Sequence, residues 1–413
     1  MIYRKEKRMA FFDDLETRSS DQRSTENADL LKDILNLAVN LDGYKATLSS
    51  VDLSEFKSLE NLPSLPVLRK SELTQKQVKG NLLGGYSAKK PFNFAHIFQS
   101  PGPIYEPGGI SHDWWRIGRF LYALNIGNGD IVHNCFSYHL TPAGMIFESG
   151  ARAVGAAVVP AGVGQTELQV RAASDIGSNV YTGTPDYLKI ILDKADEMGE
   201  KLSFNRAAVG GGALFPSLRQ EYADRGIVCR QNYATADLGN VAYESEALDG
   251  MIVDEGVIVE IVTPGTGNPV PTGEVGEVVV TSLNADYPLI RFATGDLSAL
   301  MEGVSSCGRT NVRIKGWMGR ADQTTKIKGL FVRPEQVADL VSSHKDIQRA
   351  RVIATREGEM DVMTVKIETD HQDPAAFEAS ITSTLKLKGN VELVSPESLP
   401  RDGVVIEDLR EYD

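Results

Sequence analysis

Residues 130–183, DIVHNCFSYHLTPAGMIFESGARAVGAAVVPAGVGQTELQVRAASDIGSNVYTG, alternate short apolar runs with segments whose apolar residues recur at helical spacing. The alternation continues to Asp237. It predicts strands over 130–136, 156–160, 178–182, 206–210 and 227–232, and helices over 142–153, 165–175, 185–198 and 216–225. Pro142, Pro185 and Pro216 fall at helix first turns, where a missing amide costs least. Strands joined by helices imply parallel pairing with right-handed crossovers, hence an open α/β sheet covered on both faces. Ligands on such sheets bind beyond the carboxyl ends of the strands. The loops that fall there are 137–141, 182–184, 210–213 and 233–238.

The whole chain has 413 residues, 42% hydrophobic and 24% charged, enough for a sizeable core and more than one domain. A formal net charge of -13 argues against nucleic acid or an anionic membrane as the main ligand. The cysteines, Cys135, Cys229 and Cys307, are too few and too scattered for a disulfide framework, which points to a reducing compartment and so to the cytoplasm. No apolar run approaches the roughly 20 residues that span a bilayer. The opening MIYRKEKRMA is basic without an apolar segment behind it, so no secretory signal is expected.

Upstream of the alternating region, Leu30, Ile34, Leu37 and Leu41 predict an amphipathic helix over 25–41, with Thr25 and Asn27 available as caps. The proline-interrupted stretch 59–73 reads as a wrapping connector, and 94–109, FAHIFQSPGPIYEPGG, as a hydrophobic entry followed by a loop crowded with proline and glycine. Downstream, 250–300 holds β-branched runs around proline and glycine turns, the pattern of antiparallel strands in a β subdomain. After Gly319 the pattern is that of a small α+β unit: a helix over 334–343, a strand pair around 348–368, a helix over 374–386 and a strand over 390–394.

Two late phrases carry charge beside glycine: PLIRFATGDL (288–297) sets Asp296 after Gly295, and GRADQTTKIKG (319–329) sets Arg320 after Gly319. Backbone at glycine lets a ligand approach closely, and a carboxylate with a guanidinium suits a polyhydroxyl group such as a ribose. An Asp in a surface turn is the plain alternative. The triplet Gly210, Gly211 and Gly212 gives backbone that can lie flat against a planar ring, or a tight turn that binds nothing. His133 and Cys135 share one face of a strand with His139 close behind, but no acidic fourth ligand or Cys pair follows, so zinc is not expected.

These phrases in this order, with QNYATADLG at 231–239, resemble the AMP-binding, adenylate-forming ligase superfamily. From Phe11 onward the chain is similar to its phenylacetate–CoA ligase branch. The resemblance implies a large N-terminal domain over 1–318, with a parallel α/β sheet plus a β subdomain, and a small mobile α+β domain over 319–413, hinged at Asp322. It implies an acid–thiol ligase that uses ATP and Mg2+ to activate a small carboxylic acid, aromatic in this branch, as its acyl-adenylate, and then transfers the acyl group to coenzyme A. Gly211, Gly212, Ala213, Asn232, Tyr233, Ala234, Thr235, Asp296 and Arg320 would bind the nucleotide, ATP or AMP, with Asn232 at the adenine edge and Tyr233 stacked on the base. Asp237 would hold the magnesium ion. Phe136, Tyr138, His139 and Gly210 would wall the acyl pocket, and Lys326, Lys328 and Gly329 would meet the pantetheine-bearing acceptor. For Tyr138 and His139 the structural alternative is a ring packed at a strand end and an imidazole satisfied by backbone; for the lysines it is plain solvation. Dimers are frequent among similar enzymes.

Several positions depart from the family pattern. The degenerate phosphate loop, with Ser100, Gly102 and Tyr105 as its candidate residues, keeps Ser100, Gly102 and Pro107 of the family frame but departs at Pro101, Pro103, Ile104, Tyr105 and Glu106: the two prolines remove amide donors, Ile104 removes a hydroxyl, and Glu106 sets a negative charge where the family carries a cation. It reads as an ordered lid or a rigid surface turn. Ala236 replaces a hydroxyl, and Asp237 is one methylene shorter than the usual Glu. LPRDGVVIEDLR (399–410) aligns Gly403 but presents Val404 where the family has its adenylation lysine, so no catalytic residue is assigned. Lys386 or Lys388 stands in only if that domain packs differently. The lone Cys307 in SSCGRT makes no metal site. The alternative function is a degenerate member that binds nucleotide or acyl-adenylate, performs only the second half-reaction, or acts as a non-catalytic sensor or partner protein.

Overall fold

The computed structural model describes residues 9–49, 51–53, 56–101, 103–321, 323–328, 330–357 and 360–410. The chain forms two units, one from residues up to 259 with 280–292 and 301–316, the other from 260–279, 293–300 and 317 onward. Three strands, Val257–Val262, Gly276–Ser282 and Phe292–Ser298, each begin in one unit and end in the other.

The first unit opens with helix α1 (Ser20–Ala38), whose N-terminus is capped by the Ser19 side chain accepting from the Gln22 amide. The helix begins five residues before the expected start and buries Asn27, Leu31, Ile34, Leu35 and Ala38, leaving Leu30 half-exposed. Leu30 and Leu31 offer two competing apolar faces, and the one that includes Leu35 and Ala38 is buried. Residues 94–109 are not simply a loop: β1 (His96–Ser100) and β2 (Ile104–Gly108) pair as an antiparallel hairpin. Pro101 and Pro103 sit in the turn between the strands, where no ladder amide is needed.

The main sheet carries β3 (Ile131–Asn134), β4 (Ala157–Val159), β5 (Val180–Gly183), β6 (Arg206–Val209) and β7 (Val228–Thr235). Their spatial order is β4-β3-β5-β6-β7, all parallel. Register aligns Val132 with Val158 and with Val180, Val180 with Arg206, and Arg206 with Val228. Beyond β7 the sheet turns antiparallel through β8 (Gly239–Glu244), β9 (Met251–Val253) and the strand Arg313–Ile314. Helices α2 (Ala143–Ala153), α3 (Thr166–Ile176), α4 (Pro185–Met198) and α5 (Pro216–Asp224) make the crossovers. Pro185 and Pro216 stand inside the first turn, Pro142 is the N-cap, and Gly177 and Gly199 end α3 and α4 at φ 72 and 69.

Neighbouring strand residues enter different cores, as a sheet covered on both faces requires. Val180 and Ala208 join Phe120, Val132 and Phe147 on one side. Tyr181, Ala207 and Val209 join Leu188, Ile191 and Tyr222 on the other. The α/β architecture with a parallel sheet is therefore the one expected from the sequence.

In the second unit, β10 (Arg349–Glu357) and β11 (Met360–Glu368) pair antiparallel in register from Arg349↔Glu368 to Glu357↔Met360. β12 (Asn390–Val394) adds parallel to β11, and β13 (Ile406–Asp408) adds parallel to β10, a strand not foreseen from the sequence. Helices α6 (Pro334–Ser342) and α7 (Ala375–Leu385) pack Val337, Leu340, Phe377 and Ile381 against Val352, Val365 and Ile367. A short hairpin joins Thr325–Ile327 to Leu330–Val332. Among the described residues, no helix is long and apolar enough to cross a membrane.

Candidate active site

The chain leaves β3 for β4 on one side and returns to β5 on the other, so the carboxyl ends of β3 and β5 flank the topological switch point where such sheets bind ligands. Asn134, the last residue of β3, is wholly buried there. Its Nδ2 donates to the Tyr138 hydroxyl at 2.7 Å and to the Gly144 carbonyl at 2.9 Å. Its Oδ1 accepts from Thr182 Oγ1 at 2.9 Å and from the Phe136 amide at 3.2 Å. Asn134 thus fixes the turn that presents Phe136 and Tyr138, a role the motif-based reading missed. An asparagine closing a strand at the switch point was the available signal.

Phe136 stacks on Phe147 with centroids 4.2 Å apart. A Cβ on Gly211 would lie 3.8 Å from Phe136 and 3.9 Å from Thr184, so these three surround one volume. Burial, with the charge of Glu148 added, pushes the Tyr138 hydroxyl up. His139 is exposed, and its amide donates to Ser137 Oγ at 3.1 Å.

Gly211, Gly212 and Ala213 present open backbone beside β6, with Gly211 at φ 68. Gly210 lies against Asn232: a Cβ there would meet Asn232 Oδ1 at 2.4 Å. Asn232 is 7% exposed, and its Nδ2 donates to Asn240 Oδ1 at 2.9 Å. Asn232 Oδ1 has no hydrogen-bond partner among the described residues. A buried amide oxygen left this way costs free energy unless a donor reaches it. Tyr233 is buried next to it, and the strand bulges between Tyr233 and Ala234 before Thr235, whose Oγ1 accepts from the Leu238 amide at 3.1 Å.

Of the phosphate-loop residues, Ser100 ends β1 and Tyr105 lies in β2, held by Gln77 through its amide at 2.8 Å and its carbonyl at 2.7 Å. Gly102 lies outside the described residues. Glu106 points inward at 1% exposure. Its Oε2 accepts from Ser100 Oγ at 3.1 Å, and its Oε1 has no partner among the described residues. Burial, reinforced by the charge of Asp237, pushes the Glu106 carboxyl up to about 8. Asp237 is buried as well, with Oδ2 paired to Lys70 Nζ at 2.9 Å and Oδ1 without a partner among the described residues. That orphaned hard oxygen fits the magnesium role which the resemblance implies for Asp237. Lys70 is a further residue that motif spacing did not single out.

Asp296 and Arg320 belong to the same unit and pair directly. Arg320 Nη1 and Trp317 Nε1 donate to Asp296 Oδ1 at 2.9 and 3.1 Å, and a β-bridge joins Asp296 to Arg320. Gly295 makes this possible: at φ 74 it carries no side chain, and a Cβ would meet Arg320 Nη2 at 2.9 Å. Lys326 lies over the Phe331 ring, and the Lys328 amide donates to Asp361 Oδ2 at 3.0 Å. Asp322 and Gly329 lie outside the described residues. Val404 follows Gly403 (φ 74) and lines a cavity of about 250 Å³ with Val337, Val341, Arg349, Arg351 and Glu274.

The fold is that of the adenylate-forming ligases. A crystal structure of 2-hydroxyisobutyryl-CoA ligase, in an open conformation with 2-HIB-AMP and CoA, superposes with a TM-score of 0.71 at 21% identity, covering 94% of this chain and 91% of that one. No family model matches the sequence. The phenylacetate-coenzyme A ligase of Thermus thermophilus is 30% identical over 338 residues, 78% of this chain and 75% of that protein. Its counterpart in Escherichia coli is 28% identical over 377 residues, 86% and 84% of the two chains. The chain belongs to the phenylacetate–coenzyme A ligase family.

Proposed function

We propose that this protein activates a small aromatic carboxylic acid with ATP as its acyl-adenylate and then transfers the acyl group to the thiol of coenzyme A. In the first step a carboxylate oxygen bonds to the α-phosphorus and pyrophosphate leaves. In the second, the thiol sulfur bonds to the acyl carbon, the thiol proton is lost and AMP leaves. The observation that carries the nucleotide part is the buried Asn232 Oδ1, an acceptor without a donor among the described residues, near the open Gly211–Gly212 backbone. The exocyclic amine of adenine supplies such a donor, with the ring lying on glycine backbone and Tyr233 beside it. Asp296 accepts from the ribose hydroxyls, and Arg320 moves from Asp296 toward sugar or phosphate. Asp237 would hold Mg2+ through Oδ1; bound there, the ion neutralises phosphate charge.

The aromatic preference rests on the Phe136–Phe147 stack and Tyr138 at the switch point, together with relatives named as phenylacetate-coenzyme A ligases. Asn134 keeps that turn in place by bonding Tyr138, Gly144 and Thr182 at once. The Lys326–Phe331 hairpin would receive the pantetheine-bearing acceptor. ATP–pyrophosphate exchange across aryl and aliphatic acids tests the proposal. Exchange stimulated most by an arylacetate or benzoate is the expected result; AMP that fails to bind and exchange that no acid stimulates would overturn it.

A further inference from the structure

The cavity of about 250 Å³ in the second unit is lined by none of the residues assigned above to nucleotide, acyl group or acceptor. All of its walls belong to that unit: the turns at 263–275, helix α6, the start of β10 and the segment 399–405. Direct contacts join these walls. Arg401 Nη1 pairs with Glu274 Oε2 at 2.8 Å, a Cβ on Gly265 would meet the Pro334 carbonyl carbon at 2.8 Å, and a Cβ on Gly403 would meet Val275 Cγ1 at 3.2 Å. Gln323 holds the last segment in place, donating to the Gly403 carbonyl at 2.9 Å and accepting from the Val405 amide at 2.7 Å. The space is therefore bounded by packed elements rather than left under a loose loop.

Two arginines on one face of β10 line it, and they differ in what they hold. Arg351 is 6% exposed and engaged: its Nη2 donates to Asp402 and to the Pro400 carbonyl at 3.2 Å, and its Nη1 lies 3.6 Å from Glu407. Arg349 has a buried Nη1 without an acceptor among the described residues. A guanidinium N–H buried this way costs free energy until an acceptor reaches it. The acid of the lining, Glu274, is already taken by Arg401. Much of the remaining lining is apolar, with Val270, Val337, Val341, Leu399 and Val404. Val404, standing where the family has its lysine, adds methyl groups to that wall instead of a third cation.

We propose that this cavity binds a small carboxylate carrying one apolar group, with the carboxylate accepting from Arg349 and the apolar part lying among the valines. Arginine suits that partner, since its planar fork offers a carboxylate two parallel N–H donors. Size fits as well. A void of about 150 Å³ admits a benzene ring, so this one has room for a ring or a branched chain together with its acid group. A ligand seated there would bridge the 263–275 turns to α6, β10 and 399–405, and would stabilise the unit by binding only its folded form. The inference does not rest on the reaction proposed above.

Titration of the intact protein with para-fluorophenylacetate alone, followed by fluorine NMR, tests the site. The wild type should bind the acid, and Arg349→Gln and Val404→Phe should each weaken that binding about tenfold or more, the first by removing a charge-assisted bond and the second by filling the apolar end. Each variant is checked for a cooperative thermal transition. Inorganic phosphate should compete poorly, because it has no apolar part. A wild type that binds no acid overturns the inference, as does affinity left unchanged in either variant that folds, or phosphate that displaces the probe as well as unlabelled phenylacetate does. Acid binding that depends on Arg349 in a protein whose ATP–pyrophosphate exchange no acid stimulates upholds the cavity and defeats the proposed reaction. Exchange stimulated by an aryl acid, with binding indifferent to both substitutions, does the reverse.

Discussion

Replacing Glu106 by Gln should make the protein's stability less sensitive to alkali. The Glu106 carboxyl is pushed from its ordinary 4.5 to about 8 by burial and by the negative charge of Asp237. For an acid raised in this way the folded state binds the extra proton, so stability is full below the unfolded value and falls as pH rises from 4.5 to about 8. Each pH unit in that window is worth about 1.4 kcal/mol, so the penalty reaches about 3 kcal/mol by neutral pH and about 5 kcal/mol above pH 8. Glutamine has nearly the same shape and does not titrate. Urea denaturation at several pH values between 5 and 9, without divalent ions, should show the Gln variant gaining on wild type by about 4 kcal/mol across that range. The comparison is a difference of slopes, so any fixed cost of the lost Ser100 contact cancels. Parallel curves for the two proteins would refute the reasoning, and so would a variant that loses ground as pH rises.

Asp296→Asn should weaken AMP binding at least tenfold in calorimetry while leaving the fold intact, since the amide still accepts from Trp317 and Arg320; unchanged affinity would reject the ribose role. Gly210→Ala should cost about 1–3 kcal/mol in a denaturant titration, because its Cβ would overlap Asn232 Oδ1, and should weaken AMP binding with it; a silent substitution would mean that the two do not pack as described. Lys70→Met removes the partner of a carboxylate whose own side chain is fully buried. The loss should be about 1–3 kcal/mol, below that of a closed pair because Lys70 itself is partly exposed, and an unmoved unfolding midpoint would count against the ion pair.

The alternating region was legible because its central strands β3, β5 and β6 are buried on both sides, so Val180 and Tyr181 can both be apolar while pointing to opposite cores. Helix α1 was harder. Two adjacent leucines supply two faces, and the choice depends on Ser19, a cap outside the apolar pattern. The β1–β2 hairpin was hidden by its own chemistry: inward positions Ser100 and Glu106 are polar, which breaks the alternation that marks a strand. β13 depends on a partner far back in the chain, with Val352 aligned to Ile406, and three residues carry too little pattern to be noticed alone. In the site, Asn232 and Asp296 could be found from short motifs. The Lys70–Asp237 pair could not, because 167 residues separate its members.

Arg320 and Lys70 are both held by a carboxylate of their own unit. Arg320 already sits on Asp296 in its unit, and Lys70 on Asp237 in the other. On the proposed reading a phosphate would gain either cation by exchange with a carboxylate, and the free energy released would be a difference between two charge-assisted bonds rather than the whole of one. In both pairs the basic partner is the exposed one: the Arg320 side chain is 54% exposed against 12% for Asp296, and Lys70 40% against none for Asp237. The exposed members of both pairs are thus the basic ones, while the carboxylates are buried, Asp296 being held by Trp317 as well. For Asp296 the charge that Arg320 leaves would be met by ribose hydroxyls. For Asp237, whose side chain is wholly buried, loss of the Lys70 ammonium would leave a charge that hydroxyls meet less well.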